Sequence, residues 1–371
     1  MSTLRELRPT YAFIDLDRFD RNVDVIARSL PSGARLVAVL KADGYGHGAV
    51  ELARRLTGDR VAMIAVALLE EALELRRAGI ALPLFVLGPL SQAQIVIALE
   101  SDITIGVVGP EELAFVCEVA RNRDMAIHLK LDSGMGRMGV VETELPGVIE
   151  MIRSTPRLRI DGIYTHFANA DDEADPFTEI QIANYDRMLA VLREAGIDAP
   201  LNHFANSAAT LRGLVRPGDF ARVGIAMYGP QPIEVVTGTI EPVLRWRTEI
   251  MRLKELPAGH AVGYGTTFHT TRPSRIATLP VGYADGYGRL LSNNADVLIR
   301  GQRAPVVGRV SMDLVTIDLT DIPDAAVGDE VILLGDGITA EEIAKRSQTI
   351  SYEVFCRISA RVPRVYTGAA E

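Results

Sequence analysis

Short apolar runs recur through the first 230 residues, separated by stretches of helical period. The runs are LVAVL (36–40), AMIAVA (62–67), LFVLG (84–88), ITIGV (103–107), AIHLKL (126–131), DGIYTHF (161–167), LNHFA (201–205) and RVGIAMY (222–228). Between them, EEALELRRAG (70–79), EELAFVCEVARNR (111–123) and TEIQIANYDRMLAVLREAG (178–196) carry apolar residues at helical spacing. This alternation predicts right-handed βαβ units around a parallel sheet. Eight strands over about 200 residues is the scale of a TIM-like (β/α)8 barrel, with a doubly wound sheet as the competing arrangement. Beyond Pro242 the texture changes. VLRWRTEIMRLKEL, RIATLPVGY, ADVLIRG, APVVGRVSMDLVTIDL and DEVILLG are rich in β-branched residues and divided by turn residues, and only TAEEIAKRS reads as a helix. The pattern predicts a barrel domain over residues 1–237 and a mostly β C-terminal domain over 238–371. The junction falls in GPQPIEVVTGTIEP (229–242).

Composition narrows the function classes. At 371 residues with 48% hydrophobic and 23% charged content, the chain has the profile of a globular protein with a substantial core. A formal net charge of −9 and the lack of a basic stripe argue against nucleic acid as a partner. Cys117 and Cys356 show no metal or redox spacing, which fits a reducing compartment. MSTLRELRPTYAF is too charged for a signal peptide, and no apolar run approaches membrane-spanning length, so a soluble cytoplasmic protein without membrane contact is expected.

One lysine breaks the pattern. Lys41 follows five apolar residues and opens ADGYGHG, a turn with three glycines. In a barrel the strand C-termini face the active site, and other polar residues gather at the same ends: His166 after the sixth strand, His203, Asn206 and Ser207 at the seventh, Arg222 in the eighth. Lys41 either snorkels from a strand mouth or is a desolvated amine of lowered pKa, able to form a Schiff base with a carbonyl substrate or with pyridoxal 5′-phosphate (PLP). PLP also needs a phosphate cradle and a group at its pyridine nitrogen. Barrels commonly bind phosphate after strands seven and eight, where Ser207 opens a helix and Gly224-Ile225 lets the backbone approach.

Nine segments in order, AVLKADGYGHGA, LKLDSGMGRMG, YTHFANAD, NSAAT, RVGIAMYG, VGYGTTF, LPVGYADGY, GRVSMD and ISYEV, resemble the signature segments of the alanine racemase family. The resemblance runs from about residue 10 to about residue 365. It implies a fold-type III PLP enzyme, a barrel plus a β domain, working as a head-to-tail homodimer on L- and D-alanine and supplying D-alanine for peptidoglycan. Lys41 would carry PLP and act as one base. Tyr264 would be the second, reaching the partner subunit's site. Tyr45, Ser207, Gly224, Ile225 and Tyr352 would hold the phosphate. His166 and Arg222 would link Tyr264 to the pyridine nitrogen. Arg137 would contact the cofactor's phenolic oxygen and the substrate carboxylate, to which the backbone of Met312 from the partner would donate. Lys130 lies where many members carry a carbamylated lysine beside the arginine. His203, Asn206 and Asp313 would stand behind these groups.

Arg222 discriminates among chemistries. An acid at the pyridine nitrogen keeps it protonated, whereas arginine offers donors only and favours the unprotonated ring. That suits a racemase and counts against a decarboxylase of the same fold. A broad-specificity racemase and a non-catalytic PLP-binding protein also compete. The latter class resembles the barrel alone, without the region carrying Tyr264 and Met312. GMGRMG (134–139) also fits the dinucleotide fingerprint G-x-G-x-x-G, but it follows the fifth strand rather than the first, and Asp161 opens the next strand instead of closing it.

Overall fold

A computed structural model describes residues 8–230, 232 and 240–368. The junction expected at 237/238 lies outside these residues. Eight parallel strands wrap around one core: Arg35–Val39, Val61–Val66, Leu84–Val86, Ile103–Val107, Met125–Lys130, Leu158–Tyr164, Leu201–His203 and Phe220–Val223. Each of the first six pairs with the next, and the eighth pairs with the first. The seventh and eighth strands close the circle through the Arg222 amide, which donates to the Ala205 carbonyl at 2.9 Å. The strands are buried almost throughout, as Val/Ile/Leu-rich parallel strands with both faces covered must be. The expected helices fall at Leu69–Arg77, Pro110–Ala120 and Phe177–Glu194.

Some strand ends differ from the apolar runs. The sixth strand stops at Tyr164, so His166 stands two residues beyond it, and the Thr165 carbonyl accepts from Arg222 instead of a neighbouring strand. RVGIAMY is divided: Gly224 leaves the ladder at φ −119°, ψ −91°, and Ile225–Tyr228 coils into a 3₁₀ turn. In both places a polar contact at the barrel mouth outcompetes continued pairing.

The C-terminal part is built on a six-stranded sheet in the order Gln302–Pro305, Asp296–Ile299, Glu330–Leu334, Leu244–Glu249, Tyr11–Asp15, Arg364–Thr367. The chain's first strand therefore lies in this sheet, antiparallel to Leu244–Glu249 and parallel to Arg364–Thr367, and not in the barrel. A three-stranded sheet joins Arg252–Leu256, Ser274–Leu279 and Val315–Asp318. The expectation of a single C-terminal helix needs correction. Ala340–Arg346 is followed by a second helix, Ser351–Cys356, too short at six residues to display a helical period. Among the described residues no helix is long and apolar enough to cross a membrane.

Candidate active site

The turn after the first barrel strand is left-handed. Ala42, Asp43, Gly44 and Tyr45 all have φ between 53° and 59° and ψ between 41° and 50°. Such a conformation costs about 1–2 kcal/mol per non-glycine residue, and only Gly44 adopts it freely. The neighbours hold it in place. Glu71 Oε1 accepts the Ala42 amide at 2.6 Å, Asp43 Oδ1 accepts the Ala49 amide at 2.7 Å, and the Gly44 amide donates to Leu40 at 2.8 Å. Strain maintained against this cost marks a functional site. Here it sets Lys41 and Tyr45 on one side of the barrel mouth, with Lys41 Nζ 6.0 Å from the Tyr45 ring centroid.

Those two residues line a cavity of about 380 Å³ together with Lys130, Arg137, Tyr164, His166, Asn206, Ser207, Arg222, Gly224, Ile225 and Tyr352. Leu87, Gly88, Pro89 and Met138 form its apolar margin. Among the described residues the lining contains no aspartate or glutamate. Four cations thus share one cavity, and none makes an ion pair with a carboxylate among the described residues. Burial, then the nearby Arg137, lower the Lys41 pKa. The same two causes bring Lys130 down to about 8.

The phosphate candidates form a continuous wall. Ser207 Oγ accepts the Gly224 amide at 3.1 Å, and Asn206 caps the short helix Ser207–Leu211 by accepting from Ala209 at 3.0 Å. Gly224 must lack a side chain, since a Cβ there would lie 2.4 Å from the Tyr45 hydroxyl. Tyr352 arrives on the unexpected helix Ser351–Cys356, its ring 6.0 Å from that of Tyr45.

Arg222 also lines the cavity and is buried. Its Nη2 donates to the Thr165 carbonyl at 2.6 Å and faces His166 Nδ1 at 3.2 Å, while Nη1 donates to the His203 carbonyl and meets His203 Nδ1 at 3.0 Å. Every acceptor is neutral. Burial, and next the Arg222 charge, hold His166 well below the usual imidazole range. Tyr164 is a site residue that the sequence pattern does not mark, yet Arg222 and Lys130 lie 5.4 and 5.8 Å from its ring centroid. Its place two residues before His166 in YTHF is the available signal.

Four candidates lie outside the cavity lining. Tyr264 sits in the turn between the paired strands Ala261–Val262 and Phe268–His269 and is 72% exposed. Met312 is 52% exposed at the tip of a turn closed by Ser311 and Leu314, whose backbones pair at 3.0 Å. Its carbonyl accepts from Ala284 at 3.0 Å. Asp313 binds Arg361 at 2.7 Å. His203 lies beneath the cavity floor.

Residues 14–232 match the alanine racemase N-terminal domain and residues 243–366 the alanine racemase C-terminal domain. The chain belongs to the alanine racemase family. Members are isomerases. It is 43% identical to the alanine racemase of Halothermothrix orenii over 371 residues, covering 98% of each chain. It is 40% identical to the Symbiobacterium thermophilum alanine racemase, again over 98% of both. The fold matches a Bacillus anthracis alanine racemase crystal structure with bound L-Ala-P at a TM-score of 0.90 and 38% identity, covering 98% of this chain and 96% of that one. A Clostridium difficile alanine racemase matches at 0.89 and 38%, covering 97% and 96%.

Proposed function

We propose that the chain binds PLP on Lys41 and interconverts L- and D-alanine with two bases, Lys41 and the partner subunit's Tyr264. One observation carries the reading: a cavity with four cations and no acid among the described residues, whose lining also holds the hydroxyls of Tyr45, Ser207 and Tyr352. A phosphate and a carboxylate are the anions that balance such a cavity. Tyr45, Ser207, Tyr352 and the backbone at Gly224 and Ile225 would hold the phosphate, and Arg222 would face the ring nitrogen with donors only. When bound, PLP supplies an aldehyde for the amino group and an electron-withdrawing ring that acidifies the hydrogen on Cα.

Lys41 Nζ, whose pKa burial lowers, exchanges a proton at Cα on one face. Tyr264 Oη of the partner subunit exchanges one on the other, with His166 and Arg222 connecting it to the cofactor. Arg137 and the Met312 backbone of the partner orient the carboxylate. Two bases are needed because one group cannot readily reach both faces of a planar carbon. The exposed Tyr264 and Met312, with exposed Met251, Tyr283, Leu290 and Leu314, support a homodimer in which residues 238–371 complete a site borne by residues 1–237. The two unpaired cysteines support a cytoplasmic setting. Supply of D-alanine to peptidoglycan rests on the family alone.

Reduction of the purified protein with borohydride, followed by peptide mass spectrometry, should place PLP on Lys41. Chiral chromatography should show alanine racemised faster than serine, lysine or arginine. A label on another lysine, or no racemisation, rejects the reading.

A further inference from the structure

Beneath the cavity floor the contacts of Arg222 continue into the barrel. His203 Nε2 lies 2.9 Å from His128 Nδ1, and His203 Nδ1 lies 3.0 Å from Arg222 Nη1. A guanidinium has donors only, so His203 accepts at Nδ1 and carries its hydrogen on Nε2. That N–H points at His128 Nδ1, which must accept in turn, and the hydrogen of His128 is left on Nε2. Reversing either ring would set two N–H groups against each other. Both imidazoles are buried, at 1% and 0% exposure. Burial favours their neutral forms, holding His128 near 4 and His203 well below its usual range.

The barrel is shaped around this arrangement. The pairing between the fifth and sixth strands shifts at Ile127/His128, opposite Gly162. A Cβ on Gly162 would come within 2.6 Å of the His128 ring, so the glycine makes room for it. His203 stacks on Tyr164 at 4.8 Å and 7°, and Phe85 packs at 4.7 Å from His128 and 5.6 Å from His203. The rings have little freedom to turn.

We propose that His128 is a positioning residue for the racemisation site: through His203 it fixes one tautomer and so gives Arg222 an oriented, uncharged acceptor. A carboxylate in that place would orient the guanidinium equally well but neutralise it. The neutral pair leaves the positive charge available to the cavity. This inference rests on the racemase reading of the site, although its first test requires no turnover.

Neutron diffraction from perdeuterated holoenzyme crystals should show deuterium on Nε2 of both His128 and His203 and on Nδ1 of neither. Deuterium on Nδ1 of either ring overturns the proposal. His128→Leu removes the acceptor at similar volume and should lower kcat about tenfold, with KM for alanine little changed. It should also shift the cofactor's visible absorption band and speed cofactor loss on dialysis. His128→Gln restores an acceptor and should return kcat to within about threefold of wild type. A folded His128→Leu with wild-type kcat and spectrum, or equal losses in both variants, overturns the proposal. If His128→Leu does not fold, the neutron map decides. Failure of the wild-type enzyme to racemise alanine would instead reject the underlying reading and leave the tautomer result standing.

Discussion

Two regions of the chain treat positive charge in opposite ways. Across the C-terminal part, arginines meet carboxylates: Arg245 with Asp336, Arg247 with Glu330 at 2.6 Å, Arg300 with Asp329 at 2.7 Å, and Arg303 with Glu342 at 2.7 Å. At the barrel mouth, Lys41, Lys130, Arg137 and Arg222 share a cavity that no acid lines among the described residues. The nearby acids are engaged elsewhere. Glu71 accepts the amides of Ala42, Ala67 and Leu68, and Asp132 those of Gly134 and Gly136. Exposed pairs such as those of the C-terminal part contribute about 0–1 kcal/mol each. Cations buried without a carboxylate partner, as Lys130 and Arg222 are, destabilise the fold, and an arriving anion offsets that cost. The lesson is that the barrel mouth is built for a ligand, whereas in the C-terminal part the exposed Tyr264 and Met312 stand on an otherwise settled surface.

The sharpest break of this comparison is Lys41→Ala. Racemisation should fall by about 10⁴-fold, the upper end of what a positioned acid–base group contributes, because on the proposed reading the same amine also anchors the cofactor. Polarimetry of alanine measures the loss, and added ethylamine should restore part of the rate. Activity within about tenfold of wild type would remove Lys41 from the chemistry.

Tyr264→Phe tests the other region. It keeps the ring and deletes the proton carrier, so the rate should fall by about 10²–10⁴-fold while PLP stays bound and the dimer persists. Mixing inactive Lys41→Ala and Tyr264→Phe chains should restore activity, since each heterodimer has one site with both groups intact. Subunit exchange without recovery would place Tyr264 in its own chain's site.

The two regions also differ in how much of them is legible in the sequence. The barrel announces itself through buried parallel strands that read as apolar runs, and its polar candidates follow directly from standing at strand ends. Tyr352 is reached only through the family resemblance, because its helix spans six residues. His128 is hidden for the opposite reason: a histidine within AIHLKL looks like core, and only the bulge beside Gly162 shows that the strand makes room for it. The left-handed backbone at Ala42, Asp43 and Tyr45 is not legible, since three of the four residues in the turn disfavour it and the contacts that impose it come from Glu71 and Ala49.

Gly224→Ala probes the cradle more gently. The new Cβ would lie 2.4 Å from the Tyr45 hydroxyl. Displacing Tyr45 should weaken PLP retention about tenfold, a middling cost for overpacking. Adding Tyr45→Phe removes the clashing oxygen and should recover part of the loss. Equal retention in wild type and Gly224→Ala, measured by equilibrium dialysis, would mean that this wall does not meet the phosphate.

The smallest effect concerns Lys130, the more buried of the two lysines at the barrel mouth. Burial and Arg137 bring Lys130 from 10.5 down to about 8, so the folded chain releases this proton at a lower pH than the unfolded chain does. Below about pH 8 both states are protonated and the folded state bears the full penalty of the buried charge. Between about 8 and 10.5 the folded amine is neutral while the unfolded one is still charged, so this group's contribution to stability rises with pH across that window. Lys130→Met lacks the titration. In bicarbonate-free buffer, the variant's advantage in unfolding midpoint should therefore be greatest below about pH 8 and shrink towards about pH 10. Bicarbonate sharpens the test: carbamylation of the neutral amine would turn a cation that repels Arg137 into an anion that holds it, raising the wild-type midpoint and leaving the variant unmoved. A midpoint difference that stays constant from about pH 7 to about pH 10 would mean that Lys130 has found a counter-charge, and the barrel mouth would then resemble the C-terminal part more than its lining residues indicate.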